Sequence, residues 1–218
     1  MKTALIFGSS GLIGNQLLNI IIQKNKHDKI KLFVRSDQEN NNSKIEIVKT
    51  DFLNLEKHKD SIVGNDCFFC IGTTHKDTPD KNEYRSIEYD LPVKVAQIAK
   101  SNSVNSFTYV SSMGANANSS GSYLKNKGQV EEELKKINFP KLAIIRPSLL
   151  IGNRKNFRLG ERLAIPLMKF ASLFFIGSLK KYKPIKVEYV AKAMTTITEK
   201  KYDKITFLSD ELELIGRE

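Results

Sequence analysis

The stretch Thr3-Ala4-Leu5-Ile6-Phe7-Gly8-Ser9-Ser10-Gly11-Leu12-Ile13-Gly14 decides how the rest of the chain is read. A strand-forming run ends at Phe7, three glycines follow in the spacing GxxGxxG, and an amphipathic helical pattern runs from Leu12 to Gln23. Strand, glycine turn and helix start together make a phosphate-binding unit. The first glycine permits the tight turn, the second lets a pyrophosphate approach the backbone, and the third allows close helix packing. The N–H groups and dipole at the helix start then favour an anion. Gly8, Ser10, Gly11, Leu12, Ile13 and Gly14 are accordingly expected to touch a dinucleotide.

Outward from this stretch the same alternation continues. Strands are predicted at Thr3–Phe7, Lys31–Val34, Ile45–Lys49, Cys67–Ile71, Ser106–Val110 and Leu142–Arg146, with further helices at Ile87–Lys100 and Gly121–Lys136. Pro92 sits early in its helix, where a missing N–H costs little. Such alternation predicts an α/β fold, a doubly wound Rossmann-type parallel sheet in the order 3-2-1-4-5-6 with helices on both faces. The chain of 218 residues suits one NAD(P)-binding domain. Residues 147–218 are expected to add a small substrate lobe, with an apolar stretch at Leu163–Leu179, a strand near Ile185, a helix near Val190–Thr198 and a strand near Ile205–Leu208.

The strand ends supply the rest of the cofactor site. Arg35 follows the second strand, 21 residues after Gly14, where an acid would hold the ribose hydroxyls of NAD and an arginine can hold the extra phosphate of NADP. NADP(H) is therefore expected, with Asp37 nearby keeping NAD(H) open. Asp51 and Phe52 end the third strand and can border the adenine, although Asp51 also suits a helix cap. Ile71, Gly72 and Thr73 end the fourth strand beside the switch point. His75 is read as a surface histidine.

The chemistry is read from the other half of the chain. Ser111-Ser112 ends the fifth strand, and Tyr123-Leu124-Lys125-Asn126-Lys127 follows as YxxxK. A spacing of four places Tyr123 and Lys127 on one helix face. A carbonyl that accepts hydride needs a proton. Free tyrosine ionises near pH ~10 and needs a neighbouring cation to work at neutrality. Successive strand-end residues point apart, so Ser112 rather than Ser111 is expected to face the substrate.

This order of motifs resembles the short-chain dehydrogenase/reductase superfamily. Its spelling is closest to an atypical subgroup, the Tat-interacting oxidoreductase-like proteins. The matching pieces are Phe69-Cys70-Ile71-Gly72-Thr73-Thr74, Ser111-Ser112-Met113-Gly114-Ala115, Tyr123 to Glu131, and Arg146-Pro147-Ser148-Leu149-Leu150. The resemblance implies NADPH binding, with Leu150 and Arg158 as further contacts. Ser148 stands where the subgroup usually has glycine, and His75 where arginine is common. An NADP(H)-dependent oxidoreductase using Ser112, Tyr123 and Lys127 on a small carbonyl or alcohol is the leading reading. A non-catalytic NADPH sensor and a nucleotide-sugar epimerase or dehydratase remain the alternatives.

Bulk properties bound the partners. The formal charge of +11 comes mostly from scattered lysines, with seven arginines among 35 basic residues, which argues against nucleic acid. No stable membrane insertion is expected, because Pro166, Lys169 and Gly177 interrupt the most apolar stretch. Cys67 and Cys70 lie three apart on a strand and point to opposite faces, so neither a disulfide nor a shared metal is expected. With no secretory signal read at the start, the protein is expected in the cytoplasm as a monomer or homodimer.

Overall fold

The structure, a computed structural model, describes residues 1–38, 40–152 and 177–218. Seven parallel strands form one sheet: β1 (Thr3–Phe7), β2 (Lys29–Val34), β3 (Ile45–Lys49), β4 (Asp66–Phe69), β5 (Ser106–Val110), β6 (Lys141–Arg146) and, at the edge, Thr206–Leu208. The order is β3-β2-β1-β4-β5-β6 followed by that edge strand, so the chain reverses direction across the sheet between β1 and β4. The expected Rossmann-type order is observed, extended by one strand.

The central strands β1, β4, β5 and β6 are buried on both faces, which is why their runs read as largely apolar rather than alternating. Alternation survives in what each side chain meets. Ala4 and Ile6 pack with α1 (Leu12–Lys24) and the helix Val187–Glu199, whereas Leu5 and Phe7 pack with α3 (Leu91–Ser101) and α4 (Ser122–Ile137). Cys67 and Cys70 follow the same rule: they sit on opposite faces as free thiols.

Two segments differ from the sequence reading. The helix expected at Ile87–Lys100 starts earlier, as α2 (Lys81–Arg85), and passes through a π-helical turn at Ser86–Asp90 before α3. Asp80 caps it by accepting the N–H groups of Asn82 and Glu83 at 2.9 and 2.8 Å. A final helix, Ser209–Arg217, follows the edge strand and buries Leu212 and Ile215 beside Val187–Glu199. Both were hidden because their sequences, Lys81–Arg85 and Ser209–Arg217, are mostly polar.

Past β6, the short strands β7 (Leu150–Ile151) and β8 (Ile185–Lys186) pair in parallel as a separate ribbon. Ser148 links this region to the last helix: its N–H donates to Ser209 Oγ at 2.6 Å, and its hydroxyl donates to the Lys183 carbonyl. The departure from glycine at this position supplies the hydroxyl, which donates to Lys183 and also accepts from Ser209 Oγ at 2.9 Å; the N–H bond would be open to glycine as well. The apolar stretch read at Leu163–Leu179 lies almost wholly outside the described residues, as does Arg158.

Candidate functional site

A parallel sheet brings every strand's C-terminal end to one edge. Gly8, Arg35, Asp51, Ile71, Ser111 and Pro147 all follow strands there, although they are scattered through the sequence. A cleft of about 250 Å³ opens at this edge. It is lined by Gly11, Leu12, Ile13, Ile71, Gly72, Thr73, Ser112, Tyr123, Lys127 and Leu150, ten of the residues singled out by sequence. Arg35, Asp51 and Phe52 lie outside it on the ends of β2 and β3. A second, polar groove runs between α1 and Val187–Glu199 beside Gln16, Asn19 and Lys192, and holds none of the motifs.

The glycine loop fits a pyrophosphate. Gly8 has φ of 89°, and a Cβ there would meet the Cys70 carbonyl carbon at 2.9 Å. Gly11 caps α1 in an extended conformation without any side-chain cap, and the first turn holds no acidic residue. The first N–H groups of the helix are thus left for an anion. Ser9 Oγ is buried with no hydrogen-bond partner among the described residues. A buried hydroxyl without a partner is costly unless a ligand satisfies it.

At the β2 end, Arg35 is exposed, and no ion pair holds it among the described residues. Asp37 is taken by Lys49, with Oδ2 and Nζ 2.5 Å apart. Asp51 accepts the N–H of Leu53 at 2.9 Å and, more weakly, that of Asn54 at 3.4 Å, so its carboxylate acts as a turn cap. Phe52 adopts φ of 65° and places its ring 6.4 Å from that of Phe7.

The two serines after β5 have different surroundings. Ser111 is buried and donates to Glu131 Oε1 at 2.5 Å, while Arg146 grips the same carboxylate with Nε at 2.8 Å. Ser112 is half-buried in the cleft and makes one long contact with the Met113 carbonyl, 3.4 Å. Tyr123, in the first turn of α4, is 39 % exposed on the cleft. One turn on, Lys127 is buried, with its ammonium 3.2 Å from the Val110 carbonyl and 6.0 Å from the centre of the Tyr123 ring.

What holds an ammonium in so dry a place is a residue that spacing did not reveal. Glu88, on the π-helical turn, is 1 % exposed and brings Oε2 to 3.1 Å from Lys127 Nζ. Its Oε1 accepts the Thr73 N–H at 2.5 Å, tying the turn to the loop after β4. Burial alone would push the Lys127 ammonium towards neutrality. The neighbouring Tyr109, whose ring centre is 4.8 Å away, and the Glu88 carboxylate outweigh that, so Lys127 stays charged with its pKa raised. The Cys70 thiol, also on the cleft, is pushed up to about 12 by burial and is no nucleophile near neutral pH. His75 has partners after all: its Nε2 lies 2.6 Å from Ser122 Oγ, and its ring stacks on Tyr84 at 3.8 Å.

Comparison with known proteins places this geometry. Residues 8–163 match the family described as NAD(P)H-binding. The chain is 34 % identical to the mitochondrial protein FMP52 of Debaryomyces hansenii over 70 % of its own length and 69 % of the relative's. It is 34 % identical to protein HTATIP2 of Rattus norvegicus over 75 % of this chain and 69 % of that one. The NAD+ complex of the Bordetella bronchiseptica enzyme WbmH superimposes with a TM-score of 0.67 at 16 % identity, covering 91 % of this chain and 72 % of that chain, a likeness of fold. The expected cytoplasmic location is contradicted by the relatives: FMP52 proteins of several yeasts are named mitochondrial. That expectation rested on an unremarkable start and two unpaired thiols, neither of which distinguishes a reducing cytoplasm from an organelle. Among the described residues no helix is long and apolar enough to cross a membrane. The glycine loop, the cleft and these relatives agree: the chain belongs to the NAD(P)H-binding family, with a Rossmann fold shared by short-chain dehydrogenases and the related epimerases and dehydratases.

Proposed function

We propose that this protein is an NADP(H)-dependent oxidoreductase that reduces a small carbonyl compound or oxidises the corresponding alcohol. The observation that carries the reading is the meeting of Ser112, Tyr123 and Lys127 with the start of α1 on one cleft. The reduced nicotinamide, when bound, supplies hydride. Every other part of the step falls to side chains of this chain.

Ser112 Oγ donates a hydrogen bond to the substrate oxygen and holds it beside Tyr123. The Tyr123 hydroxyl gives its proton to that oxygen as negative charge builds up. The Lys127 ammonium stabilises the charge left on the phenolate, and it can hold the ribose hydroxyls of the cofactor. Ser111 takes no direct part, since Glu131 already holds its hydroxyl. Gly11, Leu12 and Ile13 would hold the phosphates, and Arg35 would meet the 2′-phosphate. Asp37, which would favour NAD(H), is engaged by Lys49 in an exposed ion pair. Pro147, Leu149 and Leu150 line one side of the cleft and favour a modest, partly apolar substrate.

The test is to follow NADPH oxidation against a panel of aldehydes, ketones and quinones. Turnover on at least one class is expected. NADPH binding without turnover on any of them would replace this reading with a sensor.

A further inference from the structure

Among the described residues Glu88 is the one carboxylate lining the cleft, and the mechanism above leaves it unused. Its position is unusual on three counts. It lies on a π-helical turn inside an otherwise α-helical segment, a distortion that nature tends to keep where it re-aims a side chain for function. It is buried in contact with the only cation lining the cleft among the described residues. And its Oε2, although 3.1 Å from the Lys127 nitrogen, receives no aligned hydrogen bond among the described residues.

A buried ion pair is weak evidence for stability, because removing two charges from water offsets most of their attraction. It does fix the local charge. With Glu88 ionised and Lys127 protonated, the wall of the cleft is close to neutral. Without Glu88, it carries an uncompensated positive charge. Oxidised and reduced nicotinamide cofactors differ by one positive charge on the ring. The balance at this wall therefore acts on one redox form and not on the other.

We propose that Glu88 is a positioning residue whose carboxylate holds Lys127 in place and serves as the counter-charge that lets the oxidised, cationic nicotinamide bind. The inference rests on the cofactor reading given above. The bond from Thr73 N–H adds a mechanical role: the loop after β4, which lines the cleft through Gly72, is fixed to the same carboxylate. Position and charge are separable, because glutamine can still accept the Thr73 N–H but carries no charge.

The experiment measures the dissociation constants of NADP+ and NADPH for the parent, Glu88→Gln, Glu88→Asp and Lys127→Met. In Glu88→Gln the ratio of the NADP+ constant to the NADPH constant should rise about tenfold, the effect of one uncompensated charge at short range in a partly screened site. Glu88→Asp keeps the charge and should leave the ratio within about twofold of the parent, whatever happens to overall affinity. Lys127→Met exposes the carboxylate alone to the cation and should lower the ratio. It also keeps the test alive if Glu88→Gln does not fold. Equal weakening of both forms in Glu88→Gln, or a ratio in Lys127→Met that stays or rises, overturns the assignment and leaves Glu88 a structural group. A parent that binds neither form overturns the cofactor reading, and the Glu88 assignment falls with it.

Discussion

The two ends of the sheet each bury a carboxylate, and they bury it differently. At the N-terminal end, Asp66 opens β4 and is saturated. Ser106 Oγ donates to Oδ1 at 2.6 Å, His27 Nε2 lies 2.8 Å from Oδ2, and Lys2 Nζ lies 2.9 Å from the same oxygen. Burial opposes the Asp66 charge, but these bonds prevail and hold its pKa down at about 2. At the C-terminal end, Glu88 has one oxygen committed to Thr73 and the other only loosely met, on the wall of an open cleft. A closed set of bonds makes a staple that joins β4 and β5 to the segments just before β1 and β2. An open set, in the same fold and at similar burial, makes a place for a ligand. Buried charge alone does not mark function; buried charge with unused bonding capacity beside a cleft does.

The sharpest way to break this contrast is to fill the open end. Gly11 has φ of −77°, and a Cβ there would approach only the Gly8 carbonyl oxygen, at 3.3 Å. That contact is tight, so the Gly8 carbonyl must give by a few tenths of an ångström, and Gly11→Val should remain folded at a cost of about 1–2 kcal/mol for this shift and the poorer cap. Cofactor binding should disappear, since the added methyl groups occupy the approach to the first helical N–H groups. Fluorescence titration with NADPH and a melting curve on the same sample check both halves. Normal binding would remove this loop from the site.

Next in size is the tyrosine. Tyr123→Phe deletes one oxygen from a side chain that is 39 % exposed, so fold and NADPH affinity should persist. Turnover should fall by about 10² to 10⁴-fold if the hydroxyl is the proton donor. Near-parental rates with any substrate would take Tyr123 out of the mechanism.

At the closed end the expectation reverses: stability goes and the cleft remains. Asp66→Asn removes the charge that faces His27 and Lys2, and should cost about 2–4 kcal/mol of unfolding free energy. NADPH affinity of the folded fraction should hardly change. The wild-type protein carries the same information in its acid limb. The folded-state pKa is depressed from 3.8 to about 2, so the stabilisation, about 2 kcal/mol, is complete above the unfolded value and is lost as pH falls through the folded one. Denaturant melts between pH 5 and pH 2 should therefore show a slope in the parent that is weaker in Asp66→Asn. Matching slopes would mean that the staple contributes nothing through its charge.

How much of this was legible in the sequence follows from how local each feature is. The glycine loop and the Tyr123–Lys127 pair are spelled by residues within one turn or one loop, so spacing sufficed. The strand order followed because continuous apolar runs alternating with helices leave few arrangements. Glu88 was not legible. It meets Lys127 across 39 positions of sequence, and the π-helical turn that aims it carries no signature in Ser86-Ile87-Glu88-Tyr89-Asp90. The staple at Asp66 was missed for the same reason, since His27 and Ser106 lie 39 and 40 positions away on either side. His75 showed no partner in sequence because Ser122 and Tyr84 belong to separate helices. The last helix was missed because Ser209-Asp210-Glu211-Leu212-Glu213-Leu214 reads as a polar tail until the neighbour that covers Leu212 is known.

The smallest expected effect lies at the far edge of the open end, where Arg35 stands exposed. A cofactor with a 2′-phosphate offers that guanidinium a bidentate partner, and one without offers it only hydroxyls. The contact sits in water, so it should be worth less than a buried charged bond and more than an ordinary surface pair: about 1–1.4 kcal/mol, or five- to tenfold in affinity. Arg35→Ala should therefore weaken NADPH by that factor and leave NADH where it was. Raising the salt concentration should shrink the difference between parent and variant, because exposed charges are screened over about 10 Å at 0.1 M. Asp37 sharpens the test. Its carboxylate is held by Lys49, so Lys49→Met should free it to repel the 2′-phosphate and to accept a ribose hydroxyl, moving preference towards NADH. The two variants reach the same shift by different routes, one by losing attraction to the phosphate and one by gaining attraction to the hydroxyls. Isothermal titration of both cofactors against the three proteins separates them. Equal affinity of the parent for NADPH and NADH would make Arg35 an ordinary solvated arginine and leave the choice of cofactor to residues outside the strand end.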